Sequence, residues 1–309
     1  MFYDVIIVGG SYAGMAAALQ LVRARRSVLV IDAGQRRNRF AAHSHGFLSQ
    51  DGSSPDEIVR TAREQLIAYP DLTWVDGRAT SAAGEIERFS VTTETGGNYR
   101  ARRLILATGV VDTLPDVPGL QELWGRNVFH CPYCHGFETN KGQLGVLAVS
   151  AMSMHQALMI PDWGRTTFFT NSKFEPDAEQ LAALSARDVS VERATVERVS
   201  GKGETISVHL EDGRTVELAG LFTMPRTDTA SPIAEQLGCA FEDGPLGAFI
   251  RVDAMKATSV PGVYAAGDNA TMAGSVTFAV ADGARAGTSA HQSIIPGLAA
   301  LHPKPGNHH

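Results

Sequence analysis

Two of the three cysteines in this 309-residue chain lie two residues apart, in His130-Cys131-Pro132-Tyr133-Cys134-His135-Gly136-Phe137-Glu138, with a histidine on each side. Thiols at this spacing can close a small disulfide loop. A neighbouring cation or a helix N-terminus can acidify the first of them into a working thiolate. Other chemistry fits the pattern too. Zinc needs about four ligands, and only Cys239 remains to supply more sulfur. C-x-x-C-H is also the attachment pattern of a c-type haem, which would require an exported chain. CPYC occurs in thioredoxin-fold redox proteins, but there it lies close to the start of the domain. A buried structural pair is the plain alternative. What precedes the motif in the chain favours a redox-active dithiol.

Composition narrows the class. Hydrophobic residues make up 44% and charged residues 19%, and the net charge is −6. A chain of this length suits two domains of ordinary size. The acidic balance, with pI near 5.9, argues against nucleic acid or an anionic membrane as partner. The apolar start lacks a basic region and a cleavage site and runs straight into glycines, so it reads as a strand and not as a signal peptide. No apolar run reaches transmembrane length. A cytoplasmic location is expected, where C-x-x-C is more often catalytic than a structural staple. No metal is expected.

The elements around the dithiol supply its context. Tyr3 to Val8 reads as a buried parallel strand. Gly9-Gly10-Ser11-Tyr12-Ala13-Gly14 follows, then a helical run from Met15 to about Arg25 and a strand from Ser27 to Ile31 ending in Asp32. This is the logic of dinucleotide binding. Gly9 permits the tight turn, Ser11 is small enough for backbone to approach phosphates, and Gly14 lets helix and strand pack closely. Asp32, 18 positions after the last glycine, can accept a hydrogen bond from an adenosine ribose hydroxyl. A basic loop, Ala33-Gly34-Gln35-Arg36-Arg37-Asn38-Arg39-Phe40, follows; it suits either a bound pyrophosphate or a solvated face. Leu104 to Leu106 is another buried strand, ending in the small-residue turn Ala107-Thr108-Gly109. Near the C-terminus, Val263-Tyr264-Ala265-Ala266-Gly267-Asp268 places a carboxylate at the start of a helix from about Ser275 to Ser289. Its Thr277 and Phe278 N–H groups are positioned to face a cofactor ring.

Prolines 115 and 118 mark a junction. Beyond the dithiol a second strand–loop–helix unit runs through Leu144–Ser153, with a strand at Thr166–Thr170. It has the layout of a dinucleotide site without the glycines: the loop reads Ala148-Val149-Ser150-Ala151-Met152-Ser153. Where arginines would clamp a 2′-phosphate there is Asn171-Ser172-Lys173-Phe174.

Together GGSYAG with Asp32, LILATG at 104–109, CPYCHG at 131–136 and GVYAAGDN at 262–269 resemble the low-molecular-weight thioredoxin reductase family over nearly the whole chain. The resemblance implies an α/β fold of two Rossmann-like domains, the second inserted into the first. The expected division is 1–114 with 240–309 for an FAD-binding domain, and 115–239 for an NADPH-domain-like module carrying the dithiol. It implies FAD held by Gly9, Gly10, Ser11, Tyr12, Ala13, Gly14, Asp32, Ala33, Arg39, Ala107, Thr108, Gly109, Gly267, Asp268, Thr277 and Phe278. It also implies a homodimer, with Cys134 nearer the flavin and Cys131 exchanging with substrate.

Two departures point within the family. An acidic residue follows the second cysteine of thioredoxin reductases; here it is His135. The glycines and arginines for NADPH are missing. With His130 and the Arg37-Asn38 loop, both departures resemble the FAD-dependent dithiol oxidases of gliotoxin, holomycin and romidepsin biosynthesis. That branch implies a small-molecule dithiol as electron donor and oxygen as acceptor. It also implies a base, His130 or His135, that deprotonates substrate thiol, and an assisting Asn38. The competing functions are an NAD(P)H- or ferredoxin-dependent thioredoxin or disulfide reductase, and a non-catalytic flavin redox sensor.

Overall fold

The structure is a computed structural model that describes residues 1–298. The chain divides into two compact units, one of residues 1–37, 56–111 and 228 onward, the other of residues 38–55 and 112–227.

The first unit is built on one sheet, with strands in the order Leu72–Asp76, Val28–Asp32, Phe2–Val8, Asn98–Leu106, Phe89–Thr93, Ala79–Ala83. The first four run parallel, and the last two are antiparallel additions. Strand Asn98–Leu106 serves both halves. Its early residues pair with Phe89–Thr93, while Leu104–Leu106 pair with Val263–Ala265. Val5, Ile6, Ile7, Val28, Leu29, Val30, Leu104 and Ile105 have no exposed surface, as doubly covered parallel strands require. Helix Tyr12–Arg23 begins three residues before the expected Met15, so the glycine loop is shorter and its end is helical. The C-terminal helix Val276–Ile294 extends beyond Ser289. A Cβ on Gly283 would lie 2.0 Å from Ala13 O, and one on Gly287 would lie 2.6 Å from Ala17 O. Small residues therefore let these two helices touch backbone to backbone.

The second unit holds a parallel sheet, Ser190–Glu192, Gly164–Phe169, Lys141–Leu147, Gly220–Thr223, Val128–Phe129, and an antiparallel sheet of Val196–Lys202, Thr205–Leu210 and Thr215–Leu218. Phe168, Phe169 and Phe222 are fully buried in it. Both units thus have the doubly wound α/β plan, the second reduced: its helix after strand Lys141–Leu147, Ser153–Met159, is two turns long.

The unit boundaries differ from those read in the sequence. Residues 228–239 belong with the first unit and not with the insert. Ile233, Ala234 and Cys239 are buried in the first unit's core, and Gln236 binds Ala82 N–H through Oε1 at 3.1 Å. Residues 38–55 group with the second unit. His45 Nε2 lies 3.4 Å from Glu138 Oε1, and a Cβ on Gly125 would lie 2.9 Å from Phe40 Cβ. Proline and glycine density marked neither change, because neither is a linker.

Candidate active site: a disulfide and a dinucleotide cradle

The dithiol is a disulfide. Cys131 and Cys134 are joined, with Cα atoms 5.4 Å apart, and both are half-buried. Cys131 caps the single helical turn Pro132–His135, and Pro132 occupies the first helical position, where its missing N–H costs nothing. Gly136 lets Trp163 close under the turn. A Cβ there would lie 2.6 Å from Trp163 Cδ1 and 2.7 Å from Pro132 O. Trp163 in turn meets the Tyr133 ring edge-on at 5.3 Å. Tyr133 and Phe137 remain largely exposed beside the cysteines.

The two flanking histidines have different surroundings. His130 Nδ1 lies 3.4 Å from Thr223 O. A carbonyl only accepts, so a hydrogen bond at this contact requires the proton on Nδ1. The His135 ring stacks on Phe129, with centroids 4.5 Å apart and an interplanar angle of 20°. Burial, with His45 as the smaller cause, pushes His135 down to about 4. At pH 7 it is neutral and a poor proton acceptor. His45 itself lies between Glu138 and Asp51, at 3.4 and 3.7 Å.

In the first unit the glycine loop forms a cradle. Gly9 has φ +102, and a Cβ on it would lie 2.2 Å from Ala107 O. A Cβ on Gly14 would lie 1.8 Å from Gly9 O. At Gly10 it would strike the Trp74 indole at 2.6 Å and Asp32 Cβ at 2.7 Å. Gly10 N–H donates to Asp32 Oδ1 at 3.1 Å, which leaves Asp32's second oxygen for a ribose hydroxyl. Ser11 occupies the cap of helix Tyr12–Arg23 without a side-chain capping bond, and the first turn holds no acidic residue. Such a helix start favours an anion. Gly109 adopts φ +68, and Thr108 Oγ1 accepts a hydrogen bond from Asn269 Nδ2 at 3.1 Å.

Asn269 was missed in the sequence, although it ends the GVYAAGDN run. It is fully buried. Its Nδ2 also donates to Leu106 O at 3.1 Å, and among the described residues its Oδ1 has no hydrogen-bond partner. A buried orphan acceptor is costly, and here it stands beside the expected cofactor residues Thr108 and Asp268. The uncapped helix start, the bare Gly9–Gly10 backbone and this acceptor fit a bound dinucleotide.

Other expected contacts are already engaged within the protein. Asp268 Oδ2 accepts from Arg37 Nη1 at 2.9 Å, a partner that the sequence reading did not give it. Arg36 pairs with Asp56. Arg39 rests on the Phe40 ring, 4.3 Å from its centroid, and with Asn38 it groups with the second unit. The Phe278 N–H expected to face a ring is directed instead to Ser275 Oγ, at 3.1 Å, because Ser275 caps the C-terminal helix. Cys239 is buried and unpaired with another cysteine, and burial pushes its thiol up. Among the described residues no helix is long and apolar enough to cross a membrane.

In the second unit the loop that would hold a pyrophosphate is closed on itself. Ser153, fully buried, accepts from Val149 N–H through Oγ at 3.0 Å, and Ser150 Oγ accepts from Met152 N–H at 3.3 Å. After the next strand, Asn171 is turned inward, 5% exposed, and its Oδ1 accepts from Val196 N–H at 2.9 Å. Ser172 meets Thr195 hydroxyl to hydroxyl at 3.0 Å.

Known proteins agree with this architecture. The pattern of the pyridine nucleotide-disulphide oxidoreductase family matches residues 3–284. The chain is 34% identical to thioredoxin reductase tcpT of Claviceps purpurea, over 96% of this chain and 95% of that one. It is 31% identical to thioredoxin reductase sirT of Leptosphaeria maculans, over 93% and 92%. Among solved structures, an oxidoreductase from Agrobacterium tumefaciens superposes with a TM-score of 0.92 at 55% identity, over 95% of this chain and 99% of that one. HlmI superposes with a TM-score of 0.87 at 35% identity, over 94% and 92%. The chain is a member of the pyridine nucleotide-disulphide oxidoreductase family, thioredoxin reductase-like, and it carries a Cys131–Cys134 disulfide.

Proposed function

We propose that this enzyme oxidises a small-molecule dithiol to a cyclic disulfide through Cys131–Cys134 and FAD, with oxygen as the final acceptor. The observation that carries the reading is the self-closed loop of the second unit. The Val149 and Met152 N–H groups, which a nicotinamide dinucleotide's phosphates would need, bind Ser153 and Ser150 instead, and Asn171 is spent on the start of strand Val196–Lys202. A closed loop here favours reducing equivalents that enter from the thiol side. The similarity to tcpT, sirT and HlmI supports the same branch.

The chain's own residues account for the thiol chemistry. A substrate thiol has a pKa of roughly 8.5, so only a few per cent is thiolate at neutral pH. His130 is the base in this scheme: with its Nδ1 donating to Thr223 O the proton would be taken up at Nε2, whereas His135 is held at about 4. The thiolate attacks Cys131 Sγ, the Cys131–Cys134 bond breaks, and Cys134 departs as thiolate. The second substrate thiol then attacks the substrate sulfur of the mixed disulfide and expels Cys131. Two electrons and two protons have left the substrate, and the enzyme holds a dithiol. Gly9, Gly10, Gly14, Asp32, Asn269 and Asp268 would hold FAD, which would supply the two-electron acceptor needed to return the dithiol to the disulfide.

A small 1,4-dithiol incubated in air is expected to consume one oxygen and yield one peroxide per disulfide formed, with no dependence on NADPH. Turnover that requires NADPH and reduces an added disulfide would establish the reductase reading in its place.

A further inference from the structure

The second unit keeps a dinucleotide-type helix whose loop is closed, and that helix carries an unexplained buried amide. Gln156, in Ser153–Met159, is 2% exposed. Its Nε2 donates to the backbone oxygen of His130 at 2.9 Å. That carbonyl can only accept, so the amide orientation is fixed, and among the described residues Gln156 Oε1 is then a buried acceptor without a partner. An apolar side chain of similar size would avoid that cost. The contact with His130 is what the amide gains in return. The imidazole of the same residue is held from the other direction: His130 Nδ1 meets Thr223 O, and Thr223, fully buried, is tied by its Oγ1 to Leu147 O at 3.2 Å. Gln156 and Leu147 lie on either side of the closed loop, on the helix and the strand that a nucleotide-binding unit would turn toward its ligand.

We infer that Gln156 is a positioning residue for the thiol chemistry: it fixes the His130–Cys131 peptide so that the His130 ring sits on Thr223 O with its Nε2 basic. In this reading the helix after the closed loop braces the residue that serves as base, through Gln156, in place of holding a nicotinamide cofactor. The inference rests on His130 being the base and deepens that reading.

The test uses the full-length holoenzyme and three variants: Gln156→Leu, Gln156→Met and His130→Ala. Methionine keeps the unbranched length of the side chain and removes the N–H donor without adding a charge, so it serves if the leucine variant does not fold. Two readouts are needed. The first is the 15N spectrum of the His130 imidazole, identified by its loss in His130→Ala; the Nδ1-protonated form is expected in the wild type and a shift toward the Nε2-protonated form in both Gln156 variants. The second is anaerobic flavin bleaching by a small dithiol, expected to slow roughly tenfold or more with flavin content unchanged. The double variant Gln156→Leu/His130→Ala is expected to be no slower than His130→Ala, since both changes act through one group. An unchanged imidazole signal, or slowing in the double variant equal to the product of the single effects, overturns the inference. If His130→Ala bleaches at the wild-type rate the base assignment falls instead, and the imidazole spectrum still decides whether Gln156 sets the ring.

Discussion

Cys134→Ser is expected to give a yellow protein whose flavin no dithiol can reduce, with turnover down by about a thousandfold or more. Serine oxygen forms no disulfide. Cys131 alone can still exchange with an oxidised thiol compound, but it has no partner to expel, so no electron pair enters the enzyme. The effect is chemical and not a collapse of the fold. The disulfide closes a loop with a sequence separation of only 3, whose loss removes about 2 kcal/mol at most by chain entropy. The residues that cradle the dinucleotide belong to other stretches of the chain, so flavin content is expected to match the wild type. Mixing the variant with excess dithiol under nitrogen and following the flavin absorbance checks this. Full bleaching would show that a substrate thiol reaches the flavin directly and that the disulfide is not an obligatory relay.

Gly14→Ala is expected to destabilise the protein by about 2–3 kcal/mol and to strip it of flavin. Two effects oppose each other. Gly14 lies inside helix Tyr12–Arg23, where alanine is favoured over glycine by about 1 kcal/mol. Against that, the new methyl would sit 1.8 Å from Gly9 O. That neighbour is backbone, and it belongs to a turn already fixed by the approach of Gly9 to Ala107 O, so it has no room to retreat. The clash wins, the helix moves off the strand, and the N–H groups at its start leave the phosphate position. Thermal denaturation together with the flavin-to-protein absorbance ratio measures both consequences. A raised melting temperature would mean that helix propensity decides, and that the close packing is not what Gly14 provides.

The parts of the site that sequence made legible are those in which a residue type is tied to a backbone shape. Gly9 and Gly14 are legible because only glycine allows the turn and the contact. Asp32 is legible because it ends a β-branched strand at the right distance, and the dithiol because two cysteines so close have few other uses. The α/β plan follows from buried strands alternating with helices and glycine loops. Other partners could not be read, because they meet only through the fold. Arg37 pairs with Asp268 across 231 positions of sequence, and Gln156 reaches His130 from a helix that looks like ordinary amphipathic chain. His130 and His135 are equivalent on paper. Only the stacking of His135 on Phe129 and its burial separate them. The boundary read at 239/240 differs from that of the compact units for a related reason. The short helix Ile233–Gln236 carries no linker signal, and its membership is decided by where Ile233 and Cys239 are buried.

The most direct measurement of the central claim is a choice of electron donor. Purified holoenzyme is mixed under nitrogen with NADPH in one cuvette and with a small dithiol in another, and air is then admitted to both. The dithiol alone is expected to bleach the flavin, and air to restore the colour with formation of peroxide. Rapid bleaching by NADPH would contradict it, since the loop at Val149–Ser153 would then be open to a nicotinamide dinucleotide after all.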